Sequence, residues 1–208
     1  MPSRGWKAGT KQIRVQSPGE YVLGIFFSTR VTCAGMSKVV FIIGGSRSGK
    51  TAFALSRALE TSGESSRVYI ATAQPLDAEM EERIEKHRKE RGSAWATCEE
   101  PLYLGRAVRT ASGAYAVAVI DCLTLWLSNL LCSNLDMEEA QDDFIDSLAA
   151  PGPFLRIFVV SNEVGLGIVP ENDTARQFRD MAGRLHQRLA GLADEVYLMV
   201  AGIPVKIK

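Results

Sequence analysis

Apolar and polar positions alternate between two patterns from residue 38 onward. Short, β-branched apolar runs at residues 38–43, 67–71, 115–120, 155–161 and 195–200 predict strands. Unbroken apolar runs of this length suit strands covered on both faces. Between them the spacing becomes helical, predicting helices at 51–59, 79–91, 123–131, 137–149 and 173–193. Strands alternating with helices imply an α/β fold, with one mostly parallel sheet and helices on both faces. No linker rich in Pro, Ser or Gly, no internal repeat and no low-complexity tract divides residues 36–208, which are expected to form a single domain.

Composition narrows the class. The 208 residues are 46% apolar and 23% charged, which suits one compact domain and excludes disordered or disulfide-scaffold chains. The 24 basic and 24 acidic residues cancel, so no basic footprint for nucleic acid is present. No apolar run is long enough to span a membrane. The charge is uneven, however. Residues 1–35 carry Arg4, Lys7, Lys11, Arg14 and Arg30 against Glu20 alone. That head could be a targeting segment, yet the run 21–29 makes a poor secretory core. Met36, just before the first clean strand, offers a second possible start. We therefore expect an extension over 1–35 without a functional role. Cys33, Cys98, Cys122 and Cys132 lack the two-residue spacing of metal or redox motifs, and only two histidines are present. They read as reduced thiols of a cytoplasmic protein without a zinc site.

The most informative stretch is GGSRSGKT, residues 44–51, which fits G-x-x-x-x-G-K-[ST] between a predicted strand and a predicted helix. Gly44, Gly45 and Gly49 permit torsions and close approach that a Cβ would forbid, so successive N–H groups can face phosphate oxygens. The helix start adds its positive dipole end. Lys50 supplies a cation to the β- and γ-phosphates, and Thr51 a hydroxyl for Mg²⁺. The chain is expected to bind a nucleoside triphosphate. Asp121, at the end of the third strand, lies where a carboxylate meets such a loop across the ligand crevice. There it would join the Mg²⁺ shell or accept a proton from a hydroxyl undergoing phosphorylation; the alternative is a helix N-cap.

The charged segment 79–91 holds the first histidine. Met80, Ile84, His87 and Arg91 recur at spacings of four, three and four, and so share one helical face. A neutral imidazole is a nucleophile toward an α-phosphorus, and Arg88 and Arg91 would hold departing pyrophosphate. From the residues alone, a surface or core-edge histidine is the plainer reading. His186, in the long helix, gives no stronger signal. In the segment 161–172, Asn162 and Glu163 are either polar site contacts or, for Asn162, a turn cap.

From Ser37 to Lys208 the chain resembles the bifunctional adenosylcobinamide kinase/adenosylcobinamide-phosphate guanylyltransferases of cobalamin biosynthesis. The resemblance is carried, in order, by GGSRSGKT, YIATAQPLDAEMEERIEKHRKER, Trp95 and Glu99 in WATCE, IDCLTLWLSNLL, SNEVGLGIVPENDTARQFRDMAGRLHQRLA and GIPVKIK. It implies a P-loop α/β domain that phosphorylates the aminopropanol hydroxyl of adenosylcobinamide with ATP or GTP. The same enzyme would then transfer GMP from GTP, through a histidine, to the substrate phosphate, giving adenosylcobinamide-GDP and pyrophosphate. The family histidine falls on His87. Nucleotide contacts fall on Gly44, Gly45, Ser46, Arg47, Ser48, Gly49, Lys50 and Thr51, on Ala71, Thr72 and Ala73, on Arg88, Lys89, Glu90 and Arg91, and on Glu99 and Asp121. The resemblance also implies a homotrimer. The first 35 residues have no counterpart in the family pattern, and His186 stands where members often carry Asn. Two other functions compete: a plain small-molecule P-loop kinase and a GTP switch. The guanine-reading N-K-x-D pattern of the latter is absent from this chain.

Overall fold

The computed structural model of the chain describes residues 12–14, 38–63, 65–75, 77–149 and 156–208. Among them eight strands form one sheet: β1 (Gln12–Arg14), β2 (Lys38–Gly44), β3 (Arg67–Ala71), β4 (Ala96–Glu99), β5 (Val117–Asp121), β6 (Arg156–Asn162), β7 (Glu195–Val200) and β8 (Ile203–Lys206). Their order is β1-β4-β3-β5-β6-β2-β7-β8. All neighbours run parallel except the closing β7–β8 hairpin. Six helices connect them: α1 (Lys50–Ser62), α2 (Ala78–Arg91), α3 (Leu104–Ser112), α4 (Leu123–Leu131), α5 (Met137–Ala149) and α6 (Asp173–Leu192). This is the α/β architecture expected from the alternating pattern. Apart from Gln12–Arg14, which lie parallel to β4, the segment 1–35 falls outside the described residues, as do Met36 and Leu155.

Side chains of a strand alternate between faces, and the core divides accordingly. Val39, Phe41, Ile70, Ile120 and Val159 pack with Leu104 of α3, Trp126 of α4, Phe144 of α5 and Leu185 of α6. Val40, Ile42, Tyr69, Val119 and Val160 form the opposite layer with Ala54 and Ala58 of α1. Phe53 and Leu55 of α1 pack against the margin of this layer. Cys98 and Cys122 are buried and Cys132 exposed; all three are free thiols, and Cys33 lies outside the described residues. Among the described residues, no helix is long and apolar enough to cross a membrane.

Four elements are not announced by the apolar pattern, β1 among them. β4 is only four residues long, with one β-branched side chain. α3 contains Gly105, whose bare Cα lets α5 approach closely: a Cβ there would lie 2.7 Å from the Asp143 carbonyl oxygen. β8 is exposed along its whole length, contains Pro204 and is held by pairing with β7 alone.

His186 is buried on α6, with Nε2 2.7 Å from the Ser161 hydroxyl and its ring 5.6 Å from that of Phe41. Burial lowers its pKa from the ordinary 6.5, and the nearby Glu163 carboxylate opposes the shift only partly. The unfolded chain therefore takes up a proton before the folded one does. The stability contributed by neutral His186 is complete above the unfolded value and is lost as pH falls from there through the folded value. Chemical denaturation of wild type and His186→Gln, which keeps a polar group toward Ser161, checks this. The mutant should lose less stability between pH 7.5 and pH 5.5, by up to about 1.4 kcal/mol per unit of pKa depression.

Candidate active site

β2 ends at Gly44, and the chain turns through residues 45–49 into α1. Space demands glycine at 44, where a Cβ would lie 2.5 Å from the Met199 carbonyl oxygen on β7. Gly49 adopts φ 90°, a left-handed conformation that favours glycine. Within the protein itself Gly45 is unconstrained, since a Cβ there meets nothing within 4 Å and its φ is not positive. Arg47 instead takes the second left-handed conformation, at φ 56°. Gly45, Ser46 and Arg47 are exposed, whereas Ser48 is buried. Two main-chain bonds brace the turn: Glu163 N donates to Gly44 O at 2.9 Å, and Gly202 N to Ser48 O at 3.1 Å.

Lys50 is only 6% exposed. Its ammonium donates to Gly45 O at 2.5 Å and to Ser48 Oγ at 3.4 Å, so the charge is held over the loop itself. α1 starts after Gly49 with no side-chain cap and no carboxylate in its first turn. Left-handed turn residues, an uncapped helix start and an adjacent ammonium together form a set suited to phosphate oxygens.

Asp121 closes β5, opposite Ala71 of β3 in the parallel register. Its Oδ2 accepts from Thr51 Oγ1 at 2.7 Å and from the Tyr69 hydroxyl at 2.8 Å. The capping alternative is not realised: the N-cap of α4 is Cys122, without a side-chain cap bond. Burial, reinforced by the Asp121 carboxylate, holds the Tyr69 phenol well above its ordinary pKa, so it remains a donor. Of the neighbouring turn, Ala71 and Ala73 are half-buried, while Thr72 is fully buried and engaged within the protein. Thr72 N donates to Asp121 O, Thr72 O accepts from Asn129 Nδ2, and Thr72 Oγ1 exchanges bonds with the Cys122 main chain at 2.8 and 2.9 Å.

α2 begins at Asp77, whose carboxylate accepts from Met80 N at 2.7 Å. His87 and Glu90 stand in this helix, with side chains outside the described residues. Arg88 pairs with Glu99 at the end of β4 at 2.8 Å, and also with Glu85. Lys89 is exposed. Arg91 lays its guanidinium 3.8 Å from the centroid of the Tyr69 ring. His87 and Arg91, four positions apart, share a helical face. The structure thus brings the end of α2 to the Thr51–Asp121 pair through a residue the sequence pattern hides, Tyr69. The available signal was a hydroxyl within the apolar stretch of a strand, two positions before the strand end. Asn162 also finds its place: it donates to Thr124 Oγ1 at 2.8 Å rather than capping a turn. Among the described residues, no cluster of three or more His, Cys, Asp or Glu side chains could by itself hold a metal ion.

The model of one protein family, cobinamide kinase / cobinamide phosphate guanyltransferase, matches residues 40–207. The chain is 45% identical over 172 residues to the bifunctional adenosylcobalamin biosynthesis protein CobP of Pseudomonas aeruginosa, covering 80% of this chain and 95% of that protein. It is 42% identical over 184 residues to CobU of Escherichia coli, described in the same words, covering 82% and 99%. The corresponding CobU of Salmonella typhimurium is 41% identical over the same shares.

The loop geometry separates two of its glycines. Gly44→Ala forces the added methyl against the β7 main chain and should cost roughly 1–3 kcal/mol of stability. Gly45→Ala should stay within about 0.5 kcal/mol of wild type. Urea denaturation of both variants measures the difference.

Proposed function

The chain belongs to the cobinamide kinase / cobinamide phosphate guanyltransferase family, and we infer that the loop, Asp121 and α2 together carry out both of its reactions. It is a bifunctional enzyme acting in assembly of the cobalamin nucleotide loop, with a corrinoid as its small-molecule substrate. Its use of nucleotide and metal follows from the same membership.

For the kinase reaction we assign ATP or GTP to the loop. Main-chain N–H groups of residues 45–51 hold the phosphates, and Lys50 exchanges its bonds with Gly45 and Ser48 for bonds to the β- and γ-phosphates. The aminopropanol hydroxyl of adenosylcobinamide attacks the γ-phosphorus; an O–P bond forms as the bond to the departing diphosphate breaks. Asp121 accepts the hydroxyl proton through Oδ1, which receives no hydrogen bond among the described residues. Thr51, its hydroxyl held by Asp121 Oδ2, is a hard oxygen donor that would ligate Mg²⁺, which takes most of its other ligands from phosphates and water. When bound, Mg²⁺ neutralises charge on the β- and γ-oxygens.

For the transferase reaction, the His87 imidazole attacks the α-phosphorus of GTP. A P–N bond forms and pyrophosphate leaves, its charge offset by Arg88 and Arg91. A phosphate oxygen of adenosylcobinamide phosphate then attacks the same phosphorus, releasing His87 and giving adenosylcobinamide-GDP. The observation that carries this reading is the Tyr69 bridge, which ties the end of the His87 helix to the Thr51–Asp121 pair.

We further read the molecule as a homotrimer. Leu166 and Ile168 after β6 are 84% and 98% exposed, and the β7–β8 hairpin exposes Val200, Ile203 and Val205. Apolar exposure on this scale is characteristic of an interface. Light scattering should return the mass of three 22.7 kDa chains, and paired Ile203→Glu and Val205→Lys substitutions should shift it toward one.

The transferase assignment has a direct biochemical test. With Mg²⁺ and GTP labelled at the α-phosphate, wild type should retain acid-labile label after denaturation, and His87→Ala should retain none. Lys50→Ala should weaken GTP binding at least tenfold, about the effect of one lost charge-assisted contact. A folded, GTP-binding wild type that never takes up label would leave only the plain kinase.

A further inference from the structure

Tyr69 takes no chemical step in the two reactions above, yet it touches both halves of the site. It is 4% exposed, on the α1 face of the sheet. Its hydroxyl donates to Asp121 Oδ2, the same oxygen that accepts from Thr51. Its ring lies under the guanidinium of Arg91, the last residue of α2. Two donors on one carboxylate oxygen fix the plane of Asp121 and turn Oδ1 away from the hydrogen-bonded edge. A cation held against an aromatic face fixes the register of a helix end, and this contact is stronger for being partly withdrawn from water.

Among the described residues, α2 has few other anchors to the sheet. None of its described side chains is fully buried, and its other described tether to the sheet is the Arg88–Glu99 ion pair. A helix held by a few polar contacts belongs to the least stable part of a fold. Small changes at its C-terminal end are therefore expected to displace the position of His87, one turn earlier.

We propose that Tyr69 is a positioning residue that couples the two reactions: its hydroxyl orients Asp121 for the metal-bound triphosphate, and its ring seats Arg91 so that α2 presents His87. The second half rests on the His87 reading above. The two halves separate chemically, since phenylalanine keeps the ring and removes only the hydroxyl. A buried tyrosine that merely needs an acceptor would change stability without changing metal requirement.

The test uses full-length wild type, Tyr69→Phe, Tyr69→Leu, Arg91→Ala and the Leu/Ala double variant. Fluorescent GTP is titrated with Mg²⁺ at equilibrium, and uptake of α-label is timed separately at saturating Mg²⁺. Tyr69→Phe should raise the Mg²⁺ needed for half-maximal binding about tenfold, the usual effect of one hydrogen bond to a charged group, and slow labelling less than about threefold. Tyr69→Leu should show the same Mg²⁺ shift and slow labelling by at least about tenfold, as a lost cation–aromatic contact allows. In the Arg91→Ala background, Tyr69→Leu should slow labelling no further. A wild-type Mg²⁺ requirement in Tyr69→Phe overturns the hydroxyl half. Labelling as fast in Tyr69→Leu as in Tyr69→Phe, or additive slowing in the double variant, overturns the ring half. If Tyr69→Leu fails to fold, Tyr69→Met, which also removes the aromatic face while filling the buried site, supplies the same comparison. A wild type that binds GTP but takes no label removes the His87 reading and the ring half together, while the Mg²⁺ titration still decides the hydroxyl half.

Discussion

Parallel strand register is the constraint on which the site depends. β2 places Gly44 opposite Asn162, and β3 places Ala71 opposite Asp121. Parallel neighbours end on the same edge, so the loop, the carboxylate and the Ala71–Ala73 turn meet in one crevice without any long-range search by side chains. The Thr51–Asp121 hydrogen bond closes that arrangement across the strands. A one-residue slip of β5 would carry Asp121 to the opposite face of the sheet.

The two walls of the crevice are built differently. The loop side is packed: Gly44 lies against β7, Lys50 is buried, and main-chain bonds from Glu163 and Gly202 brace the turn. Among the described residues, the α2 side is held by ion pairs and the contact of Arg91 with the Tyr69 ring. Under the proposed roles, a rigid loop and a more loosely held α2 suit an enzyme that must bring first a substrate hydroxyl and then an imidazole to different phosphorus atoms. On that assignment, binding energy at the loop is common to both steps, whereas the position of α2 matters to the second alone.

Much of this was legible in the sequence, for reasons that can be located. Short apolar runs mark the strands of this sheet, so 67–71 and 195–200 were readable to the residue, although β7 is only partly buried. The loop was readable because its chemistry requires glycine and lysine at fixed offsets. What was hidden depends on contacts between elements. β4 and β8 draw their stability from neighbours rather than from composition, and α3 is shaped by the approach of α5 to Gly105. Gly45 looked equivalent to Gly44, yet only Gly44 meets the β7 main chain. Tyr69 read as one more strand residue because its partners come from β5 and α2, far away in sequence. His87 stood out through the family resemblance, not through spacing, which fits an ordinary charged helix equally well.

The central claim is that a single phosphate cradle serves both chemistries. A crystal structure with Mg²⁺ and a GTP analogue uncleavable between the α- and β-phosphates tests it most directly. The account predicts β- and γ-phosphates on the main-chain N–H groups and Lys50, with the α-phosphorus about 3–3.5 Å from an imidazole nitrogen of His87 and in line with the leaving oxygen. An analogue seated in the loop with His87 turned away beyond contact, and another side chain facing the α-phosphorus, would contradict it.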